Sequence, residues 1–165
     1  MRAHWMTRAI VIGLSLACVA AVSGGAQPNA DEQQVHQLLE RWVETRNARD
    51  TARMRPLFHE TADQVNLATG ELRDLTGMLE WFDDAFRGSG KDVAVRVSRQ
   101  NVRILSADTA ILDFVVEFVS SSQARATGMS RITFVCVKRA GDWKVAAVRY
   151  APTRAERNGS RIVCG

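Results

Sequence analysis

AILDFVVEFVS, residues 110–120, alternates two kinds of side chain. Ala110, Leu112, Phe114, Val116 and Phe118 make one wholly apolar face. Ile111, Asp113, Val115, Glu117 and Val119 make the other, with two carboxylates set into it. Successive strand residues point to opposite sides, so this period of two, with one unbroken apolar face, predicts a strand bordering a core.

The same period continues on both sides. Upstream, Asp92 to Leu105 reads as a long strand in which Val93, Val95 and Val97 alternate with Ala94, Arg96 and Ser98. Downstream, Ser130 to Lys138 and Asp142 to Tyr150 are two more. Ser106–Thr109 and Ala140–Gly141 are turns, and a polar loop runs from Ser120 to Gly128. Connections this short predict an antiparallel meander of four strands.

Before Gly90 the period is helical. Asp31 is placed to cap a helix whose apolar stripe is Val35, Leu38, Leu39, Trp42 and Val43, ending near Asn47. Asp50 starts a second, short helix with Met54, Leu57 and Phe58 inward, limited by Pro56. Gln64–Leu67 and Glu71–Leu72 read as two short strands around a Thr69–Gly70 turn. Thr76–Gly77 leads into a third helix carrying Met78, Leu79, Trp81, Phe82 and Phe86, stopped by Gly88-Ser89-Gly90. Helices followed by a meander make an α+β arrangement. One helical layer covers one sheet face, so the meander must curl around the helices, meet a second copy, or leave its other face wet.

The N-terminal residues follow a different logic. Arg2 and Arg8 precede an unbroken apolar run from Ala9 to Val22, and Ser23-Gly24-Gly25-Ala26 is made of small residues. That order predicts a secretory signal peptide over 1–26 and a secreted or periplasmic domain that meets a membrane only during export. A permanent anchor and lipoprotein processing at Cys18 are the alternatives; the run is short for a span. Residues 27–30 are a linker, 31–152 the domain, and 153–165 a polar, flexible tail. Removing Arg2 and Arg8 from 22 basic and 18 acidic residues leaves 20 against 18. The basic balance is therefore partly an export signal. No lysine–arginine stripe interleaved with aromatics supports nucleic-acid binding.

In GDWKVAAVRYAP, residues 141–152, regular alternation puts Trp143, Val145, Ala147 and Arg149 on one face. Three are apolar or small and one is a cation. On a concave side shared with Asp113 and Glu117, Arg149 would make a site for a polar or anionic small molecule; small Ala147 leaves volume beside it. The alternative is a solvated face with weak cross-strand ion pairs. Asp113 is also the candidate base if the domain is an enzyme. Trp42, Trp81 and Phe86 could wall the ligand site or simply be core. His36 sits on the outer side of the first helix and His59 at a helix end. No cluster has metal-ligand spacing, and no glycine-rich phosphate loop or nucleophile elbow is present, so neither metal nor cofactor is expected. Cys136 and Cys164 could bridge in an oxidising compartment, or Cys136 could be a buried thiol. Asn158-Gly159-Ser160 matches the glycosylation triplet.

The order of elements resembles the nuclear transport factor two-like superfamily, and within it the SnoaL-like, polyketide-cyclase-like branch. The resemblance spans about Asp31 to Pro152. It rests on Trp42-Val43-Glu44, Asp50, Leu57-Phe58, Ala62-Asp63, Gly70, Leu75-Thr76-Gly77 and Gly141-Asp142-Trp143-Lys144-Val145. It implies a cystatin-like, cone-shaped α+β barrel with a pocket in the cone, and a homodimer through the sheet. Similar proteins carry a pocket histidine on the last strand where this chain has Arg149. The tyrosine that isomerase relatives place in the first helix has no counterpart, since the chain has only Tyr150. Together these readings predict an exported, non-catalytic small-molecule-binding domain. An acid–base enzyme using Asp113 and a partner-docking module are the alternatives.

Overall fold

Val35, Leu38, Leu39 and Trp42 recur every three to four residues and become the buried stripe of α1 (Ala30–Ala48). The computed structural model describes residues 30–120 and 126–153. The predicted signal peptide (1–26), Cys18, most of the expected 27–30 linker, the Asn158-Gly159-Ser160 triplet, Cys164 and the expected tail beyond Thr153 lie outside the described residues. Asp31 does not precede α1 but sits in its first turn. Its carboxylate accepts from Lys138 Nζ (2.5 Å) and Trp143 Nε1 (3.2 Å), fastening the helix to the last hairpin. Those two hydrogen bonds hold its pKa below the ordinary 3.8.

Asp50 caps α2 (Thr51–Met54) by accepting from Arg53 N at 2.9 Å. Pro56 lies in a 3-10 turn, Arg55–Leu57, that ends the helix. The chain then enters β1 (Phe58–Asn66) directly. Phe58 and His59 therefore open a strand rather than close a helix, and β1 is longer than Gln64–Leu67. β1 pairs with β2 (Leu72–Asp74) through Val65–Leu72, Gln64–Arg73 and Asp63–Asp74. Asp74 caps α3 (Leu75–Arg87), accepting from Gly77 N at 2.8 Å. The four long strands follow as β3 (Val93–Ser106), β4 (Thr109–Ser120), β5 (Ala126–Arg139) and β6 (Asp142–Thr153).

The sheet has six strands in the order β2-β1-β6-β5-β4-β3. Two features depart from the expected antiparallel barrel. β1 runs parallel to β6, because no tight turn joins them and their relative direction is free. β2 and β3 are edges that do not pair with each other, so the curved sheet stays open.

The inner face of the sheet meets the helices in one core. Leu112, Phe114 and Val116 of β4 are buried, as their alternation requires. Trp42 packs edge-on against Phe114 and Phe134, with ring centroids 5.6 and 5.5 Å away. Each large side chain so buried contributes about 1.5–3 kcal/mol. Cys136 is a fully buried free thiol, and burial pushes its pKa up to about 12. None of the described helices is long and apolar enough to cross a membrane.

A β-bulge sets which residues of β6 face inward. Cys136 pairs with Val145, and Val135 with Ala147, so Ala146 is an extra residue. Trp143 and Val145 are buried before it, and Val148 is buried after it. The phase reverses, and Ala147 and Arg149 turn to the outer face while Tyr150 turns inward.

Candidate ligand-binding cavity

A cavity of about 310 Å³ lies between the C-terminal halves of α1 and α3 and the inner face of the sheet. α1 presents Trp42 and Arg46 to it, one turn apart. α3 presents Trp81, Phe82 and Ala85. The sheet supplies Val95, Val116, Phe118, Ile132 and Tyr150, and the turn after α3 supplies Ser89 and Gly90. Gly90 is held close under α3: its N donates to Ala85 O at 2.8 Å, and an added Cβ would meet that oxygen at 2.8 Å.

Arg46 is the one buried charged side chain among the described residues, 7 % exposed. Its guanidinium lies 5.2 Å from the ring centroid of Phe82 and 4.9 Å from that of Phe86, and the two rings stack at 5.8 Å. Cation–π contact of this kind offsets part of the desolvation cost. Among the described residues no carboxylate pairs with it, and Nη1 is buried without a hydrogen-bond partner. Burial pulls its pKa down to about 10, leaving it charged at neutral pH; Tyr150 opposes that shift and Arg49 adds to it.

Tyr150 supplies the second polar group. Ser130 Oγ donates to its phenol oxygen at 3.0 Å, which leaves the phenolic proton for another acceptor. The wall beside Arg46 is fixed by Asn47. Its amide donates to Val95 O (3.0 Å) and accepts from Val95 N (2.8 Å), tying α1 to the edge strand.

Of the residues singled out from sequence, Trp42 and Trp81 border the cavity, and Phe86 supports Arg46 from beneath. Arg149, Asp113 and Glu117 stand together on the outer face. Val65, Arg149, Thr133 and Asp113 are paired neighbours in one row across four strands. Arg149 Nη1 donates to Asp63 Oδ1 at 2.6 Å. Asp113 accepts from Thr133 Oγ1 at 2.5 Å and lies 3.5 Å from Arg103. Glu117 pairs with Arg96 at 2.6 Å. The concave site built on Arg149 is therefore not formed, because the bulge at Ala146 breaks the alternation that placed Arg149 beside Val145.

Sequence reasoning missed Arg46. The signal was available: Leu38, Leu39, Trp42 and Arg46 fall on one helical face, four residues from Trp42 to Arg46. Among the described residues no carboxylate, histidine or cysteine lines the cavity. Among the described residues no group of three or more His, Cys, Asp or Glu could hold a metal. His36 is half-buried, and its Nδ1 lacks a partner. His59 Nδ1 lies 2.9 Å from Thr61 Oγ1.

The sequence between Val35 and Tyr150, which spans every cavity element, matches the model of the SnoaL-like domain over residues 35–150. The chain belongs to the SnoaL-like domain family. No curated protein matches it. Among solved structures, this SnoaL-like domain is similar to a Nostoc punctiforme domain of unknown function with a cystatin-like fold. The TM-score is 0.69 at 16% identity, covering 79% of this chain and 82% of that one. An NTF2-like protein of unknown function from Pseudomonas putida superposes with a TM-score of 0.68 at 13% identity, covering 81% and 94%. An NTF2-like protein from Novosphingobium aromaticivorans gives 0.66 at 14% identity, covering 79% and 84%. Identities this low carry the fold of the SnoaL-like domain and nothing of its activity.

Proposed function

We propose that this SnoaL-like domain is an exported, non-catalytic binder of a small anionic molecule, held in the cavity by Arg46. The observation that carries the reading is Arg46, a buried guanidinium bordering a largely apolar cavity, with an unpartnered Nη1 and no carboxylate partner among the described residues. An uncompensated buried charge is costly, and an anionic guest supplies the missing partner by charge-assisted hydrogen bonds. Tyr150 offers a neutral donor beside it. The acid–base enzyme reading lacks support from the described lining residues, none of which is a carboxylate or histidine that could act as base. Export rests on the order Arg2, Arg8, apolar run, small residues.

A thermal-shift screen of carboxylates, phosphates and neutral metabolites against the wild-type chain and Arg46→Gln tests the binding role. Anions that raise the melting temperature of the wild type and not of the variant are expected. Equal shifts in both proteins would remove Arg46 from the site.

A second reading concerns the outer face, where half-buried Val115, Val135 and Ala147 alternate with ion pairs and the helices lie on the other side. This favours a homodimer through the sheet. Light scattering should give twice the monomer mass, reverting to monomer in Val135→Glu.

A further inference from the structure

Resting on that reading, we infer that the cavity selects a monoanion with an apolar body, a hydrophobic monocarboxylate, over dianions and neutral analogues. The charge count comes first. Among the described residues Arg46 is the single cation bordering the cavity. Arg73 lies over the Trp81 ring, 5.3 Å from its centroid, is not among the lining residues, and is paired with Glu71. Arg49 acts on Arg46 from an exposed position, where water screens it. One guanidinium neutralises one negative charge. A second charge on the guest would enter a largely apolar cavity without a described partner.

The donor count agrees. A carboxylate has two oxygens, and the described lining offers two kinds of donor: the guanidinium of Arg46, whose buried Nη1 has no partner, and the phenol of Tyr150, whose oxygen is engaged by Ser130. A phosphate would bring a third oxygen, and among the described residues no further charged donor lines the cavity to meet it. Around these two groups the surface is aromatic and aliphatic, with Trp42, Trp81, Phe82, Val95 and Ile132. Such walls bind an apolar body and reject polar ones.

Isothermal titration of the full chain with phenylacetate, phenylacetamide, phenylmalonate and phenyl phosphate tests the selection. The phenyl group is common to all four, and only the head changes. Phenylacetate is expected to bind tightest. The amide and both dianions should be weaker by roughly tenfold or more, since each leaves a buried charge or charged donor unmatched. Arg46→Gln should abolish phenylacetate binding, Arg46→Lys should retain part of it, and Tyr150→Phe should weaken it severalfold; circular dichroism checks that each variant is folded. If phenylmalonate or phenyl phosphate binds as tightly as phenylacetate and Arg46→Gln removes that binding, the monoanion selection is overturned and the anion site stands. Phenylacetamide binding equally well, or no phenylacetate binding at about millimolar concentration, also overturns the selection. Affinities indifferent to Arg46→Gln overturn the anion site itself.

Discussion

Arg149 and Asp63 form an ion pair on the outer face, Nη1 to Oδ1 at 2.6 Å, across the parallel seam between β6 and β1. Both side chains are more than a third exposed, at 35% and 38%. The pair is therefore a surface clasp between strands, worth about 0–1 kcal/mol after screening. Arg149→Ala should lower stability by no more than that, with the loss shrinking in high salt, and should leave ligand affinity unchanged. Chemical denaturation at two ionic strengths and titration with phenylacetate check both halves.

Arg46 should behave in the opposite way. Removing a buried, unpaired guanidinium relieves a desolvation penalty of several kcal/mol and forfeits cation–π contact with Phe82 and Phe86 of about 2 kcal/mol. Arg46→Met should consequently be neutral or stabilising by up to about 2 kcal/mol while losing anion binding. A large destabilisation on urea unfolding would mark Arg46 as a structural strut.

Asp31 gives the fold an acid-sensitive fastening. Its folded pKa is depressed by the hydrogen bonds from Lys138 and Trp143. A depressed carboxylate contributes stability that is present above its unfolded value, 3.8, and lost as pH falls through the folded value. Wild type should thus melt above Asp31→Asn at neutral pH, and the two curves should converge once the pH drops below the ordinary carboxylate range. Melting temperature against pH for both proteins is the measurement.

Cys136 should be inert in the native chain. With the thiol fully buried and its pKa near 12, alkylation at pH 8 should label it only after denaturant is added. Mass spectrometry of the peptide containing Cys136 reads this directly.

Asn47 holds both backbone groups of Val95. Asn47→Ala leaves that donor and acceptor without their partner and should cost about 1–3 kcal/mol. It should also weaken ligand binding, since Val95 is part of the cavity wall. Equilibrium unfolding and calorimetry check the two effects.

Much of this architecture is written locally in the chain. The stripes of α1 and α3 and the alternation of β4 are patterns within one element, and each predicted its own buried face. β1 was underestimated because Thr61, Asp63 and Asn66 dilute its apolar signal, while its length is set by pairing with distant β6. The bulge at Ala146 has no glycine or proline to announce it. Its cause is the register against β5, a relationship between strands, so regular counting from Trp143 assigned Arg149 to the wrong side. Arg46 lay in plain view on the Trp42 face of α1 and was passed over because a lone cation at a helix end ordinarily belongs to the solvent.

The strand order has a consequence for how the molecule comes together. β6, made after every other described element, occupies the middle of the sheet, and its partner residue Asp63 lies 86 positions before Arg149. A chain still emerging from its ribosome or translocon holds two disconnected half-sheets and an unwalled hollow until that final segment arrives. Assembly should hence be a late, nearly all-or-none event with a slow rate, as long loop closure dictates, and any truncation before Asp142 should yield chaperone-bound or aggregated material instead of a smaller working domain.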